Sequence, residues 1–161
     1  MNRFFSLRPA VLALTALAVL SSRPAAADTR VPIKGSADGQ VILQINPTLE
    51  NPVGVQVYEA TGESTLLGRF TDRGISFFTL DGSVTGTFVL TAADGSTVSG
   101  SYSGTLAPIP GTPDFEFELE TIIESGTGRL AGISGGGTTV GVLDGLTGTF
   151  HFEVSGDWIL P

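Results

Sequence analysis

The stretch Asp114–Glu124 reads DFEFELETIIE. Phe115, Phe117, Leu119, Thr121 and Ile123 fall on one side of it, and Asp114, Glu116, Glu118, Glu120 and Glu124 on the other. Successive side chains of a strand point to opposite faces, so this alternation predicts a β-strand with one apolar face and one acidic, solvated face.

The same period of two recurs on both sides of it. Upstream, Val41, Leu43 and Ile45 alternate in a first strand, and a loop bracketed by Asn46-Pro47 and Asn51-Pro52 leads to a second at Val53, Val55 and Val57. That strand is expected to end in a Thr61-Gly62-Glu63-Ser64 turn. A third runs from Leu66 to about Leu80 with Gly74 as a bulge, a fourth over Val84–Ala92 and a fifth over Thr97–Leu106. Asp81-Gly82 and Asp94-Gly95 are tight hairpin turns between them. Downstream, a glycine-rich passage from Gly126 to Gly137 precedes a seventh strand near Thr138–Leu143, and Asp144-Gly145 turns into an eighth over Thr147–Leu160. No stretch beyond residue 30 has the 3.6-residue period of an amphipathic helix. About eight strands joined by short turns predict an all-β, antiparallel up-and-down barrel, because closure removes exposed sheet edges. Glycines within the strands, among them Gly86, Gly100, Gly104, Gly148 and Gly156, suit a strongly curved sheet.

The first 27 residues have a different logic. Arg3 and Arg8 precede an uncharged apolar run, Ala10–Leu20, which Ser21-Ser22-Arg23-Pro24 interrupts before Ala25-Ala26-Ala27. A basic start, a short apolar core and small residues at the −3 and −1 positions predict a secretory signal peptide over 1–27, with the barrel domain over 28–161. A spanning helix needs about 20 apolar residues, so no membrane anchor is expected. No Cys follows for lipidation, and the arginines are not adjacent as the twin-arginine route requires. The expected location is the periplasm or the extracellular space.

Cleavage changes the charge. All 16 acidic residues but only five of the eight basic ones lie beyond residue 27, so the remaining 134 residues carry a net charge of −11. A surface of that sign repels phosphate backbones and anionic headgroups, so neither nucleic acid nor a membrane surface is an expected partner. The absence of cysteine excludes thiol catalysis, Fe–S clusters and Cys-based zinc sites. The acidic row Asp114–Glu120 makes a poor calcium cage, because same-face strand residues sit about 6.6 Å apart and do not converge. No cofactor or metal is expected.

Candidate chemistry is sparse. His151, the only histidine, alternates with Phe150 and Phe152 and is expected to face outward beside Glu153. No nucleophile elbow is present. Arg69 lies between Leu67 and Thr71 in an apolar strand; with Glu59 and Gln56 it forms either a buried polar cluster in the barrel or a salt bridge near one rim. If the barrel is open, Arg69 is the first candidate to meet an anionic ligand group. Tyr102 and Trp158 belong to an aromatic set that either packs the interior or lines a pocket. Arg129 is expected to cap backbone carbonyls or to pair with a nearby carboxylate.

Two segments carry a resemblance. Gly126-Thr127-Gly128-Arg129-Leu130-Ala131-Gly132-Ile133-Ser134-Gly135 resembles the glycine-rich turn of the allene oxide cyclase and dirigent-like barrels. Leu66-Leu67-Gly68-Arg69-Phe70-Thr71 resembles a segment of small exported bacterial proteins of uncharacterised function that share that barrel. Together they span roughly residues 35–159 and imply a calycin-like fold of eight strands. They bring no catalytic residue with them: the polar set and cavity cysteine of the plant isomerases have no counterpart here, and dirigent-type aspartates are not assignable by motif.

The leading expectation is a non-enzymatic exported barrel that binds a small apolar or amphipathic ligand or serves as a surface interaction module. The alternatives are an isomerase or cyclase of the allene oxide cyclase type and a structural envelope or matrix protein. The export reading has its own test. The intact mass of protein recovered from outside the cytoplasm should correspond to a chain beginning at Asp28, and retention of residues 1–27 would contradict it.

Overall fold

The computed structural model describes residues 28–161, and the segment read as an export signal lies outside the described residues. Eight strands follow one another: β1 (Thr29–Ile45), β2 (Val53–Ser64), β3 (Gly68–Thr79), β4 (Ser83–Ala92), β5 (Thr97–Pro108), β6 (Phe115–Gly126), β7 (Ser134–Leu143) and β8 (Thr149–Leu160). Each pairs antiparallel with the next, and β8 returns to β1 from Thr29↔Leu160 to Gln40↔Thr149, closing the barrel. The expected all-β, up-and-down barrel of eight strands is the observed fold.

Boundaries differ from the sequence reading in instructive places. β1 begins at Thr29, well before Val41. Its inward positions include Gly35 and Gly39 between Ile33, Ala37 and Val41, and these glycines dilute the apolar alternation. Thr61–Ser64 continues β2 rather than turning, and the chain reverses over Thr65–Leu67. Gly74 is not a bulge: pairing runs unbroken from Tyr58↔Gly74 to Glu59↔Arg73. The register shifts instead between Val41 and Leu43, where Ile42 is extra, and opposite Ser99 and Gly100, where Glu124 is extra.

The inward glycines serve a steric purpose. Gly74 lies opposite Tyr58, Gly86 opposite Tyr102, Gly100 opposite Phe88 and Gly141 opposite Phe117. A Cβ at any of these four positions would run into the ring of its partner. Gly39 and Gly54 stand in the same relation to Phe150 and Phe78. Aromatic rings thus lie flat over neighbouring glycines and cover the inner wall, a pairing that also offsets the weak strand preference of glycine.

The two ends of the barrel are unlike. At one end Leu67, Phe70, Ala92, Val98, Ile123, Leu130, Ile133 and Trp158 are all buried and form the floor. The β6–β7 connection, a single 3₁₀ turn at Gly128–Leu130, folds across that floor and delivers Leu130 into it. Arg129 fixes the turn from outside. Its Nε donates to Asp94 Oδ2 at 2.7 Å, and its guanidinium nitrogens donate to the carbonyls of Leu66 at 3.1 Å and Leu67 at 3.3 Å. The expected carbonyl capping and carboxylate pairing are both present. They join the two segments that carry the family resemblance.

Outside, the acidic row of β6 is exposed, as its alternation implies, and His151 faces outward with Nδ1 2.8 Å from Asp38 on β1. The interior is mainly apolar, while the outer face mixes Ser, Thr and Glu with exposed apolar side chains such as Phe77, Val89, Ile122 and Val140. Substitutions should separate these regions. Leu130→Ala, which empties the floor, is expected to cost about 2–5 kcal/mol. Gly86→Ala, which crowds Tyr102, should cost about 1–3 kcal/mol. Glu118→Gln on the outer face should stay within about 0.5 kcal/mol. Urea unfolding measures all three, and a neutral Gly86→Ala would contradict the ring-over-glycine packing.

Candidate functional site

The floor closes one end only. Above it the lumen holds a cavity of about 540 Å³ that reaches the loops of the opposite end. Exposed Gln44 near the end of β1, Asn46 on the β1–β2 connection, and Leu80 and Asp81 on the β3–β4 connection stand at its mouth. Its volume falls in the range of small-molecule pockets, about 300–1,000 Å³. The walls are mainly aromatic and aliphatic, including Phe88, Phe117, Leu119, Phe150 and Phe152. Tyr58 meets Phe150 edge to face at 5.7 Å, and Phe88 stacks on Tyr102 at 6.4 Å.

A small polar group interrupts this wall. β3 points Phe70, Asp72, Ser76 and Phe78 inward, in order from floor to mouth. Ser76 Oγ and Tyr102 Oη share a hydrogen bond of 2.7 Å. Asp72 is 5% exposed, and its Oδ1 is buried without any hydrogen-bond partner. Burial is the main reason that its carboxyl is pushed up to about 7; the backbone N–H of Arg73 pulls weakly the other way. Burial also raises both phenols. The Asp72 charge adds to the rise at both, and Tyr58 and Tyr102 interact through a side-chain hydrogen bond, so the three groups feel one another.

The residues singled out in the sequence divide between the two faces. Gln56, Tyr102 and Trp158 line the cavity. Arg69 and Glu59 do not: each lies at an outward position of its strand. Glu59 pairs with Arg73 at 2.8 Å on the outer surface, and Arg69 stands opposite Glu63 across the β2–β3 ladder. The buried Arg69–Glu59–Gln56 cluster therefore does not form. The physical reason is parity. β3 starts at Gly68 with Phe70 directed into the floor, which turns Arg69 and Arg73 outward together. Among the described residues no lysine, arginine or histidine lines the cavity, and Asp72 and Asp81 are its only charged residues.

Asp72 was missed in the sequence, although a signal was present. It occupies the same parity as Phe70, Ser76 and Phe78, so a carboxylate in the apolar phase of a strand marked the site. Among the described residues no group of three or more potential metal ligands converges. Comparison of the chain with protein-family models, curated proteins and solved structures finds no match.

The raised carboxyl makes stability depend on pH. Below about pH 4 both the folded and the unfolded chain hold the Asp72 proton. Between about 4 and 7 the folded chain keeps it while the unfolded chain has released it, so stability falls as pH rises through this window and levels off above it. Relative to Asp72→Asn, the wild type should lose on the order of 4 kcal/mol across that window. Chemical denaturation of both proteins from about pH 4 to 8 measures it, and parallel curves would contradict a buried, unpaired carboxyl.

Proposed function

We propose that this protein is an exported, non-enzymatic barrel that takes a small hydrophobic or amphipathic ligand into its lumen. The observation that carries the reading is the cavity of about 540 Å³, closed by a packed floor, open at one mouth and walled by aromatic rings. An apolar void of this size in water is stabilised by any apolar molecule that fills it, because burial of apolar surface is worth roughly 25 cal/mol per Å². The acidic, Ser- and Thr-rich exterior suits a carrier that stays dissolved outside the cell.

We also propose kinship with the exported bacterial barrels related to the allene oxide cyclase and dirigent-like folds. It is supported by the contact that Arg129 makes between the two segments that resemble them. A second reading, an isomerase or cyclase, draws on Asp72: a buried carboxyl that titrates near neutrality can accept and return a proton. The carrier reading is preferred because the lumen is walled mainly by apolar and aromatic side chains and Ser76 is engaged with Tyr102.

A neutral dye, N-phenyl-1-naphthylamine, reports on the cavity by its fluorescence. It should bind the folded protein and be displaced by decanol. Leu119→Trp, which puts an indole into the lumen, should weaken it by about tenfold or more, equivalent to about 1.4 kcal/mol, without loss of the β signal in circular dichroism. A barrel that neither brightens the dye nor gains thermal stability from decanol would overturn the carrier reading.

A further inference from the structure

We propose that the lumen selects amphiphiles carrying a cationic amine, which enter head first and place the ammonium group against Asp72, beside Tyr58 and Tyr102. This names a ligand class for the cavity and so rests on the carrier reading above.

Four observations converge on it. Asp72 Oδ1 is buried in the cavity wall without a partner. A buried acceptor left unmade costs free energy, and a buried charge more, so the empty barrel holds a cost that a hydrogen-bond donor relieves. Among the described residues, the cavity contains no basic side chain to do so from within. Tyr58, Tyr102, Phe88 and Phe150 present aromatic surface in the same wall, and aromatic faces attract cations. The one other charge on the route, Asp81 at the mouth, is held ionised by hydrogen bonds from Thr79 and Ser83, and the surrounding domain is strongly negative. A field of this sign draws cations towards the opening and repels carboxylates.

Position along the axis sets the orientation. Asp72 lies one inward step above Phe70 in the floor, whereas Phe78 and Leu80 are near the mouth. Six steps of strand lead from Asp72 to Phe78, about 20 Å along β3 at 3.3 Å per residue. A head group at Asp72 therefore leaves its apolar tail along the aromatic wall towards the mouth. The titratable groups that face Asp72 are Tyr58 on β2 and Tyr102 on β5, both kept neutral by burial; β4 contributes Leu90 and Phe88. Binding of an ammonium thus follows Asp72 alone, tightening as the pH rises through about 7.

Decylamine, decanol and decanoate, each below its micelle concentration, test this by displacement of the neutral dye from the full barrel domain. At about pH 8 decylamine should bind at least about tenfold more tightly than decanol, and decanoate most weakly. Asp72→Asn should abolish the amine's advantage while leaving decanol within about twofold, and Glu118→Gln on the outer face should change neither. Equal affinities for amine and alcohol, or an amine preference that survives Asp72→Asn, would overturn the proposal while leaving the carrier reading intact. If dye and decanol also fail to bind, the carrier reading falls and this one with it. The amine-to-alcohol ratio in the wild type needs no variant, so a poorly folding Asp72→Asn would not shelter the proposal.

Discussion

Everything inside this barrel depends on aromatic rings lying over glycines on the neighbouring strand. An eight-stranded barrel has an interior just wide enough for ordinary side chains to fill it. Here Tyr58, Phe88, Tyr102 and Phe117 lie against Gly74, Gly100, Gly86 and Gly141, where no Cβ stands in the way. Rings held against the wall leave the axis open. The same pairing therefore accounts both for the curvature of the sheet and for the cavity of about 540 Å³.

The cavity would be a channel without the floor. Leu130 and Ile133, both buried, are delivered by a connection too short and too rich in glycine to form more than one 3₁₀ turn. Arg129 then ties that turn to the β2–β3 and β4–β5 turns through one carboxylate and two carbonyls. Closure at one end fixes where a ligand stops, and Asp72 stands one step above that point. Under the proposed carrier role, a dead-end pocket whose carboxyl keeps Oδ1 unpartnered near its base would read a head group rather than a tail.

Most of the architecture was legible in the sequence because a strand's period of two survives wherever one face is apolar. Asp114–Glu124, Thr97–Leu106 and the Asp-Gly turns at 81, 94 and 144 marked their elements plainly. β1 was read short because Gly35 and Gly39 occupy inward positions that carry no apolar signal. The site was legible only in part. Tyr102, Trp158 and Gln56 line the cavity, whereas the sequence left Arg69 and Glu59 open between a buried cluster and a salt bridge near one rim, since facing depends on a parity fixed by Phe70 entering the floor. Whether the rings would fill the lumen or line it was not legible either. That outcome turns on which glycine faces which ring across the ladder, and such registers are set by tertiary pairing.

Asp72 sits ionisable and buried at the base of an apolar cavity, with its Oδ1 left without a partner. The carboxyl carbon shift of Asp72, followed by NMR in protein labelled with carbon-13 and compared with Asp72→Asn for assignment, reports its titration directly. In the empty barrel it should titrate at about 7, far above the ordinary value of 3.8, and loading with decylamine should lower that midpoint. A midpoint near 3.8 in the empty barrel would mean that the carboxyl is solvated or paired, and would contradict the account.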